Sequence, residues 1–542
     1  MGRIQNTVAK FNIKLPIQMA AALLAGSTLL SSALGLLRDR QLNGLYYTTY
    51  PQGIDAYTVA FTVPDFMFFI LVSGALSVTF IPVFNQRLAD HNKKSAWELS
   101  TSILNLLAIV TLITSVLIII FAEPLVRYVV GPGLDESSRS LAVSMMRVIA
   151  VNPFLFAIAS VVASMQQAIG RFTFFALAPT VYNIGIIIGA VFFTSGINIF
   201  GWQVFDGGIM GVALGVVLGS VMQLLVSCIG LWGMGFDYRF KIYWKNHGFK
   251  TVLKLLPARS LDQGIDYVNS IVETNLASRM ASGTIRAYQQ ASALSYVPIN
   301  LIGVAISTAA FPKMAERMGQ GRPDLFKKEL QTVLRVIIWL ALPVTVITFF
   351  ARGYLVNFIN NGGDYLISGI LGILSVAILF RSVYHISARS FYAQQDTKTP
   401  LYISFFAIGL NIILAIWFTM GLGLGVYGLA WATAIVSVVE VCILFVMMSR
   451  RIDGLFDRVF IGAVARMASA TGLMAVITYI TVAMLPLNAT DQSFVASFPK
   501  FAYIVAINLS VYVGICKLFK LSEVDPILSR LVKIAFGRFR RL

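Results

Sequence analysis

Long uninterrupted blocks of apolar residues dominate this sequence and restrict the folds open to it. The blocks at 99–122 and 401–417 approach the length of about 20 residues that a helix needs to cross a bilayer. Only helices and closed β-barrels satisfy their backbone polar groups in lipid, and barrel strands are short segments of alternating hydrophobicity. The pattern therefore predicts an all-α polytopic membrane protein.

The composition argues against a soluble enzyme. Of the 542 residues, 57% are hydrophobic and 12% are charged, and the mean hydropathy is +0.79, whereas soluble domains are about 25% charged. The three histidines, His91, His247 and His385, include no pair with metal-ligand spacing, and no nucleophile stands at helical spacing from a base. We expect neither an enzyme nor a cofactor, and the cysteines, all inside apolar segments, predict no disulfide.

Breaks between the apolar blocks predict fourteen membrane-spanning helices. They lie near 16–37, 57–81, 99–122, 140–168, 174–195, 208–235, 255–278, 288–311, 331–351, 365–388, 401–420, 425–448, 459–485 and 499–518. Lys and Arg concentrate in the even-numbered connections, such as 239–254 and 313–328, and are absent near Asp206 and Gly421. Because cytoplasmic loops are enriched in Lys and Arg, both termini are predicted to be cytoplasmic. Topology and contact with anionic membrane lipid then explain the net charge of +18, and we expect no nucleic acid partner.

An internal repeat divides the predicted spans into two sets. Residues 73–82 resemble 302–312, Asp55-Ala-Tyr57 resembles Arg286-Ala-Tyr288, and Asn183 corresponds to Asn411, with equivalent positions 228 to 231 residues apart. Since six spans separate them, the two copies have the same orientation. The repeat predicts two six-helix lobes, 1–240 (spans 1 to 6) and 241–450 (spans 7 to 12), followed by 451–542 with two C-terminal helices and a basic cytoplasmic tail. Two lobes facing a central cavity suit transport by alternating access.

Acidic residues inside the seventh span form a candidate functional site, because charge in a membrane is costly and commonly functional. Asp262, Asp266, Asn269 and Glu273 lie on one helical face. Acids so close together repel one another unless something neutralises them. This face is consistent with a Na⁺ or H⁺ coupling site and equally with structural pairing to basic residues of a neighbouring span.

Basic residues inside other spans form a second candidate. Arg381, His385 and Arg389 follow one another at helical spacing in the tenth span, where they could receive a phosphate or pair with the acids of the seventh. Arg389 could also extend its side chain to the cytoplasmic membrane surface. Buried pairing is the usual explanation for the isolated charges Arg147, Arg335, Glu440 and Arg466. Arg38 and Asp39 end the first span on the side that should be least basic, which favours a functional role.

Several segments of the chain resemble the MurJ (MviN) lipid II flippase family of the multidrug/oligosaccharidyl-lipid/polysaccharide exporter superfamily. They are Gly35-Leu-Leu-Arg-Asp39, 55–64, 73–82, Arg171-Phe172 with Ala178-Pro-Thr180 and Asn183, Ala281-Ser-Gly283 and Phe391-Tyr-Ala-Gln-Gln-Asp-Thr-Lys-Thr-Pro400. The resemblance implies fourteen spans in two lobes with two extra C-terminal helices. It also implies translocation of lipid II, an undecaprenyl-diphosphate-linked disaccharide pentapeptide, to the outer leaflet of the bacterial inner membrane for peptidoglycan synthesis, driven by membrane potential or Na⁺.

The resemblance and the charges inside the spans together predict particular site residues. Arg38 and Asp55 stand where the family has a cavity arginine and aspartate, and the full set of predicted substrate-binding residues is Arg38, Asp39, Asp55, Arg286, Arg147 and Arg381. The predicted cation-coupling residues are Asp262, Asp266, Glu273, Asn411 and Thr433, with Na⁺ at the last three.

Uncharged residues replace several other charges of the family. They are Ala33, Phe68, Phe69, Ser73, Ser292, Ala293, Tyr296 and Ala415. These replacements leave two alternatives to a lipid II flippase, namely a transport-silent membrane scaffold with the same fold and a cation-coupled exporter of amphipathic compounds.

Overall fold

The computed structural model describes residues 17–73, 76–90, 92–199, 202–488 and 490–525, and helices account for most of them. The first helices are α1 (Ile17–Leu42), α2 (Pro51–Phe68), α3 (Ile81–Ala89), α4 (Lys93–Pro124), α5 (Glu136–Ile149), α6 (Asn152–Ile169), α7 (Thr173–Ile188), α8 (Met210–Ile229) and α9 (His247–Ser278). The remaining helices are α10 (Thr284–Pro298), α11 (Ala305–Gly319), α12 (Pro323–Phe350), α13 (Arg352–Ile359), α14 (Tyr365–Ala393), α15 (Lys398–Ile416), α16 (Val426–Arg451), α17 (Arg458–Met484) and α18 (Phe494–Leu518).

Short irregular elements join or extend these helices. Stretches of π-helix follow several of them, and Ile299–Val304 begins directly after Pro298, whose ring removes a backbone donor. A two-stranded antiparallel hairpin, β1 (Ile197–Ile199) and β2 (Trp202–Phe205), lies between α7 and α8. The apolar blocks did not predict this hairpin, because it lies in a connection rather than in a span.

The helical membrane architecture predicted from the sequence is confirmed. Among the described residues, twelve helical segments are long and apolar enough to cross a membrane. Each of the fourteen predicted spans coincides with a helix, and the two outside the twelve are α1 and α9. The fourth predicted span is divided between α5 and α6, with Pro153 in the first turn of α6. The number of membrane crossings stays a prediction.

Two compact units, Met1–Arg286 and Ala287–Leu542, make up the chain. Their bounds differ from the lobe boundaries predicted at 240 and 450. Helix α9 belongs to the first unit because it packs against α2, α3 and α4, and the ring of Tyr267 on α9 stacks on Phe69 at 4.1 Å between centroids. Helices α17 and α18 belong to the second unit. The boundaries drawn from the repeat stay a prediction about the duplication.

Glycines bring the backbones of α7 and α8 into contact in the first unit. A Cβ added at Gly185 would lie 2.3 Å from the Cα of Gly219, and one added at Gly189, just after α7, would lie 2.4 Å from the Cα of Gly215. Small residues that allow such close approach are a common basis of helix packing in membranes. This contact fixes α7, which carries Asn183 beside the charged residues described below.

Polar and aromatic contacts hold the last two helices in the second unit. The Tyr512 hydroxyl of α18 donates to the carbonyl of Trp339 on α12 at 3.0 Å, and Trp339 Nε1 donates to Cys516 Sγ at 3.4 Å. Thr478 of α17 donates to Asn508 of α18 at 2.9 Å. Buried partners of this kind are strongly favoured because an unsatisfied polar group in lipid is costly.

Candidate functional site

Four predicted substrate-binding residues meet in one network within the first unit. Arg38 and Asp39 lie near the end of α1, Asp55 lies in the second turn of α2, and Arg286 lies at the start of α10. Asp39 Oδ1 is 3.1 Å from Arg38 Nη2 and 3.2 Å from Arg286 Nη2. Because two guanidinium groups share one carboxylate, this part of the network keeps a net positive charge.

Arg38 is the accessible cation of the network. Its Nε also donates to Asp39 Oδ1 at 3.3 Å, its Nη1 donates to Asn183 Oδ1 at 3.0 Å, and its side chain is 25% exposed. Asn183 is held in turn by its Nδ2, which donates to the carbonyl of Ser31 at 3.2 Å. A guanidinium carries five N–H donors, and the described residues accept three hydrogen bonds from Arg38. The structure gives the two remaining donors no partner among the residues that it describes.

Arg286 is buried and positions its neighbours. Its side chain is 5% exposed, and its Nε donates at 3.1 Å to Oδ1 of Asn43, a buried residue just after α1. Its contact with Asp39 joins the start of α10 to the end of α1. Arg286 therefore holds Asp39 in place, and Asp39 in turn orients Arg38.

Asp55 anchors the start of α10. Its carboxylate is buried and accepts from the backbone N–H of Gly283 at 2.6 Å and of Arg286 at 2.9 Å. The first N–H groups of a helix have no partner within it, and this end carries positive charge, so a carboxylate there is stabilising. Gly283 has φ of +89°, which a residue with a side chain rarely adopts. The partners that the structure gives Asp55 are thus backbone groups that place Arg286.

The other two predicted substrate-binding arginines have partners outside this network. Arg147 is exposed, and its Nε donates to the carbonyl of Ile119 at 3.4 Å. Arg381, in the second unit, is 3.7 Å from the buried carboxylate of Glu440, which also accepts from Ser404 Oγ at 3.2 Å. The acid that the structure places beside Arg381 is thus Glu440 and not one of the seventh-span acids with which pairing was predicted, and the role of Arg381 in substrate binding stays a prediction.

Arg389, from the same basic column of α14, also has partners in the second unit. Its Nη1 donates to Ser307 Oγ at 2.7 Å and to the carbonyl of Val304 at 3.0 Å. Arg335 pairs with Glu523. Buried pairing, the usual explanation for isolated charges in spans, therefore holds for Arg335 and Glu440.

The predicted cation-coupling residues are divided between the two units. In the first, Glu273 Oε1 accepts from Asn269 Nδ2 at 2.9 Å. Asp262 and Asp266 lie in α9, but their side chains are outside the described residues. Among the residues that the structure describes, no group of three or more His, Cys, Asp or Glu side chains could hold a metal ion.

In the second unit, Asn411 and Thr433 lie together. Asn411 Nδ2 donates to Thr433 Oγ1 at 3.4 Å, and Tyr288 is 3.3 Å from the same hydroxyl. Oδ1 of Asn411 is buried and has no hydrogen-bond partner within the described part of the chain. These oxygens have the chemistry that a hard cation prefers. The Na⁺ site of Glu273, Asn411 and Thr433 stays a prediction.

Two residues near the network, Asp65 and Asn43, were not predicted from the sequence. Asp65 is an acid inside the second predicted span, so the criterion that selected the other intramembrane charges would also have found it. Asn43 is a buried amide after α1, and nothing in the sequence distinguishes it from other asparagines. Phe68 and Phe69, which replace charges of the family, pack on Phe156 at 5.5 Å and on Tyr267.

The fold and this network define a polytopic helical membrane transporter with an arginine and carboxylate site inside its first unit. A family model described as Lipid II flippase MurJ matches residues 52–498. That match covers most of the chain, and the chain belongs to this family.

Relatives and solved structures agree with the family. The probable lipid II flippase MurJ of Thermotoga maritima is 24% identical over 93% of this chain and 97% of that protein. The probable lipid II flippase MurJ of Buchnera aphidicola is 26% identical over 71% and 75%. The solved structure of lipid II flippase MurJ in an inward closed conformation has a TM-score of 0.74 at 23% identity, covering 92% of this chain and 98% of that one. An inward-facing multidrug resistance MATE family transporter has a TM-score of 0.65 at 17% identity, over 79% and 96%. These two structures show the shared fold.

Proposed function

We propose that this protein is a flippase that moves lipid II from the inner to the outer leaflet of the bacterial inner membrane by alternating access. Membership of the lipid II flippase family supports the cargo, and the accessible guanidinium of Arg38 is the observation that carries the proposal. Both termini are proposed to be cytoplasmic, as the loop charges predict.

The chemistry of the cargo fits the network. A diphosphate that enters a low-dielectric site needs charge-assisted donors, and a guanidinium can offer two parallel N–H groups to phosphate oxygens. Within the described part of the chain, the bonds of Arg38 to Asp39 and Asn183 use three of its five N–H groups. Asp39 and Arg286 act as positioning residues, and Asp55 holds the start of α10. Within this network one accessible arginine, Arg38, would bind the diphosphate and still allow its release, which a transporter requires.

Energy for the cycle is proposed to come from the membrane potential or a cation gradient. Lipid II carries negative charge, so a potential that is negative inside favours its outward movement. In the second unit, Asn411 Oδ1 and Thr433 Oγ1 are oxygen atoms that suit Na⁺, the cation whose gradient would supply energy.

Rescue of a bacterial strain depleted of its own lipid II flippase tests the proposal. The protein is expected to restore growth and to expose newly made lipid II on the outer leaflet. Arg38→Ala is expected to abolish rescue at normal abundance. The matched variant Arg147→Ala should rescue, because Arg147 is exposed and lies outside the network. An abundant wild-type protein that fails to rescue would favour the transport-silent scaffold.

A further inference from the structure

A row of aromatic rings crosses four helices of the first unit, and the proposed binding of diphosphate does not use it. The ring centroids of Tyr267 and Phe69 are 4.1 Å apart, and the other neighbouring centroids are 5.3–5.5 Å apart. The rings belong to α9, to α2 and the residue directly after it, to α6 and to α7. We call them the aromatic row, which consists in order of Tyr267, Phe69, Phe68, Phe156 and Tyr182.

The aromatic row is open to a ligand along part of its surface. All five of its residues are half-buried rather than enclosed in the core. Phe156 packs edge-to-face on both Phe68 and Tyr182, with angles of 64° and 77° between the ring planes. An edge-to-face contact covers the face of only one ring in each pair, so the row keeps ring faces that a ligand can contact.

The side of α2 that carries Phe68 also carries an acid. Phe61, Asp65 and Phe68 follow one another at i, i+4 and i+7, so they share one side of the helix. Acids inside membrane spans face the protein interior or water, because a carboxyl group in contact with lipid tails is costly. Phe68 and the rings that contact it therefore lie on a side of α2 that a polar ligand can reach.

One end of the aromatic row adjoins the proposed diphosphate site. Tyr182 directly precedes Asn183, whose Oδ1 accepts from Arg38 Nη1 at 3.0 Å. A Cβ added at Gly219 of α8 would lie 3.0 Å from Cδ2 of Tyr182, so α8 packs against this ring. Helix α7 thus holds one end of the row next to a residue that orients Arg38.

We propose that the aromatic row binds the sugar rings that are attached to the diphosphate of the cargo. This inference rests on the proposed function, because the diphosphate at Arg38 determines where the sugar lies. The face of an aromatic ring is electronegative, and the C–H groups on the less polar face of a sugar ring are weakly positive, so the two faces attract each other. Contact with the rings also removes the apolar part of the sugar from water.

A sugar suits the aromatic row better than the polyprenyl chain of the same cargo does. The polyprenyl chain is as apolar as the lipid tails that surround the protein, so it gains little from leaving them. Tyr182 ends the row with a hydroxyl group, which takes part in no hydrogen bond among the described residues. A sugar hydroxyl can bond to this group, whereas a hydrocarbon chain cannot.

Binding of two charge-matched lipids to the full-length protein in lipid nanodiscs tests the sugar subsite. The first lipid is undecaprenyl diphosphate that carries the disaccharide of lipid II without its peptide. The second is undecaprenyl diphosphate with a methyl ester in place of the sugar. The wild type is expected to bind the disaccharide lipid more tightly. Phe156→Leu and Tyr182→Leu should each weaken this binding about two- to tenfold and leave binding of the methyl ester unchanged.

Three further variants serve as controls. Phe156→Tyr keeps an aromatic face and should bind the disaccharide lipid as the wild type does. Phe405→Leu, at an exposed ring of α15, should change the binding of neither lipid. Retained binding of the methyl ester shows that a leucine variant is folded. If both leucine variants fold poorly, Tyr182→Phe removes only the hydroxyl and should weaken binding of the disaccharide lipid alone.

The outcomes separate the sugar subsite from the proposed function. Equal weakening of both lipids in the leucine variants would assign the aromatic row to the diphosphate or the polyprenyl chain and overturn the sugar subsite. No weakening of either lipid would overturn it as well. If the wild type binds lipid II but binds the two test lipids equally, the sugar subsite is wrong and the proposed function stands. A wild type that binds no lipid II overturns both, because the sugar subsite requires a diphosphate at Arg38.

Discussion

The proposed role of Arg38 depends on the geometry of its guanidinium group as well as on its charge. Its Nε, Nη1 and Nη2 reach Asp39 and Asn183 together, and only a planar guanidinium can do so while it keeps further N–H groups. Arg38→Lys preserves the charge but offers one ammonium at a different place. We expect this variant to be present at normal abundance and to fail to rescue a flippase-depleted strain. Full rescue by Arg38→Lys would show that a positive charge alone is sufficient.

Arg286 is expected to contribute to stability in a way that Arg38 does not. Its side chain is buried and donates to Asp39 and Asn43, so Arg286→Ala leaves a carboxylate and a buried amide oxygen each with one fewer donor. Breaking a buried ion pair costs about 3–5 kcal/mol. Thermal unfolding in detergent should therefore show a large loss for Arg286→Ala and a small one for Arg38→Ala. Equal losses would contradict the distinction between positioning and binding residues.

Asp396, in the connection between α14 and α15, illustrates a structural acid outside the membrane. Its carboxylate accepts from the backbone N–H groups of Lys398 and Thr399, each at 3.0 Å, and from Arg451 Nη2 at 2.6 Å. Burial acts to raise its pKa, but the hydrogen bonds from Thr399 and Arg451 outweigh burial and hold the pKa at about 2. Since this pKa is below its unfolded value, the stabilisation is present above about pH 4 and is lost as the pH falls towards 2.

Asp396→Ala is expected to destabilise the protein by about 0.5–2 kcal/mol at neutral pH, because it removes the acceptor at the start of α15. The difference from the wild type should shrink as the pH falls. Thermal unfolding at a series of pH values measures this difference in stability. Asp90→Ala, which removes an exposed acid in a loop, is the control. A difference that grows in acid would contradict the assigned direction of the pKa.

At the scale of elements, the contact of α7 with α8 depends on the absence of side chains. A Cβ at Gly215 would lie 2.6 Å from the Cα of Gly189, and neither backbone can move aside locally. Gly215→Ala should cost about 1–3 kcal/mol through overpacking. Gly472→Ala, in α17 with no atom within 4 Å of the new Cβ, should be neutral or stabilising by up to about 1 kcal/mol. The unfolding temperatures of the two variants are compared in the same detergent. Equal values would rule out a tight contact between α7 and α8.

The sequence predicted these helices well because length and hydrophobicity alone define a span. The side-chain contacts between distant residues were harder to predict. Arg286 contacts Asp39 and Asn43 across separations of 247 and 243 residues, and no spacing rule connects positions so distant. The repeat aligned Arg286 with Asp55 but could not show that Asp55 binds the backbone N–H of Arg286 itself. Likewise, α9 begins the second copy of the repeat by sequence, yet its packing places it in the first unit.

For the whole molecule, the direction of transport depends on which loops face the cytoplasm. The basic connections lie on one side in the predicted topology, where they can contact anionic lipid and resist translocation. The exposed connection before α9 contains Arg239, Lys241 and Lys245, whereas the hairpin connection before α8 has no Lys or Arg. A flippase that releases lipid II outside must therefore load it from the side that carries these basic loops.

Single cysteines tested with a membrane-impermeant maleimide on intact cells measure this orientation. The background replaces Cys228 and Cys442, which are exposed, and keeps the buried Cys516 as an internal negative control. Asp206→Cys and Thr490→Cys, at exposed connections, are expected to label from outside. Lys245→Cys and Lys328→Cys, also exposed, should label only after the cells are opened, because positive loops remain inside. Labelling of Lys245→Cys in intact cells would reverse the topology and, with it, the leaflet from which Arg38 receives its diphosphate.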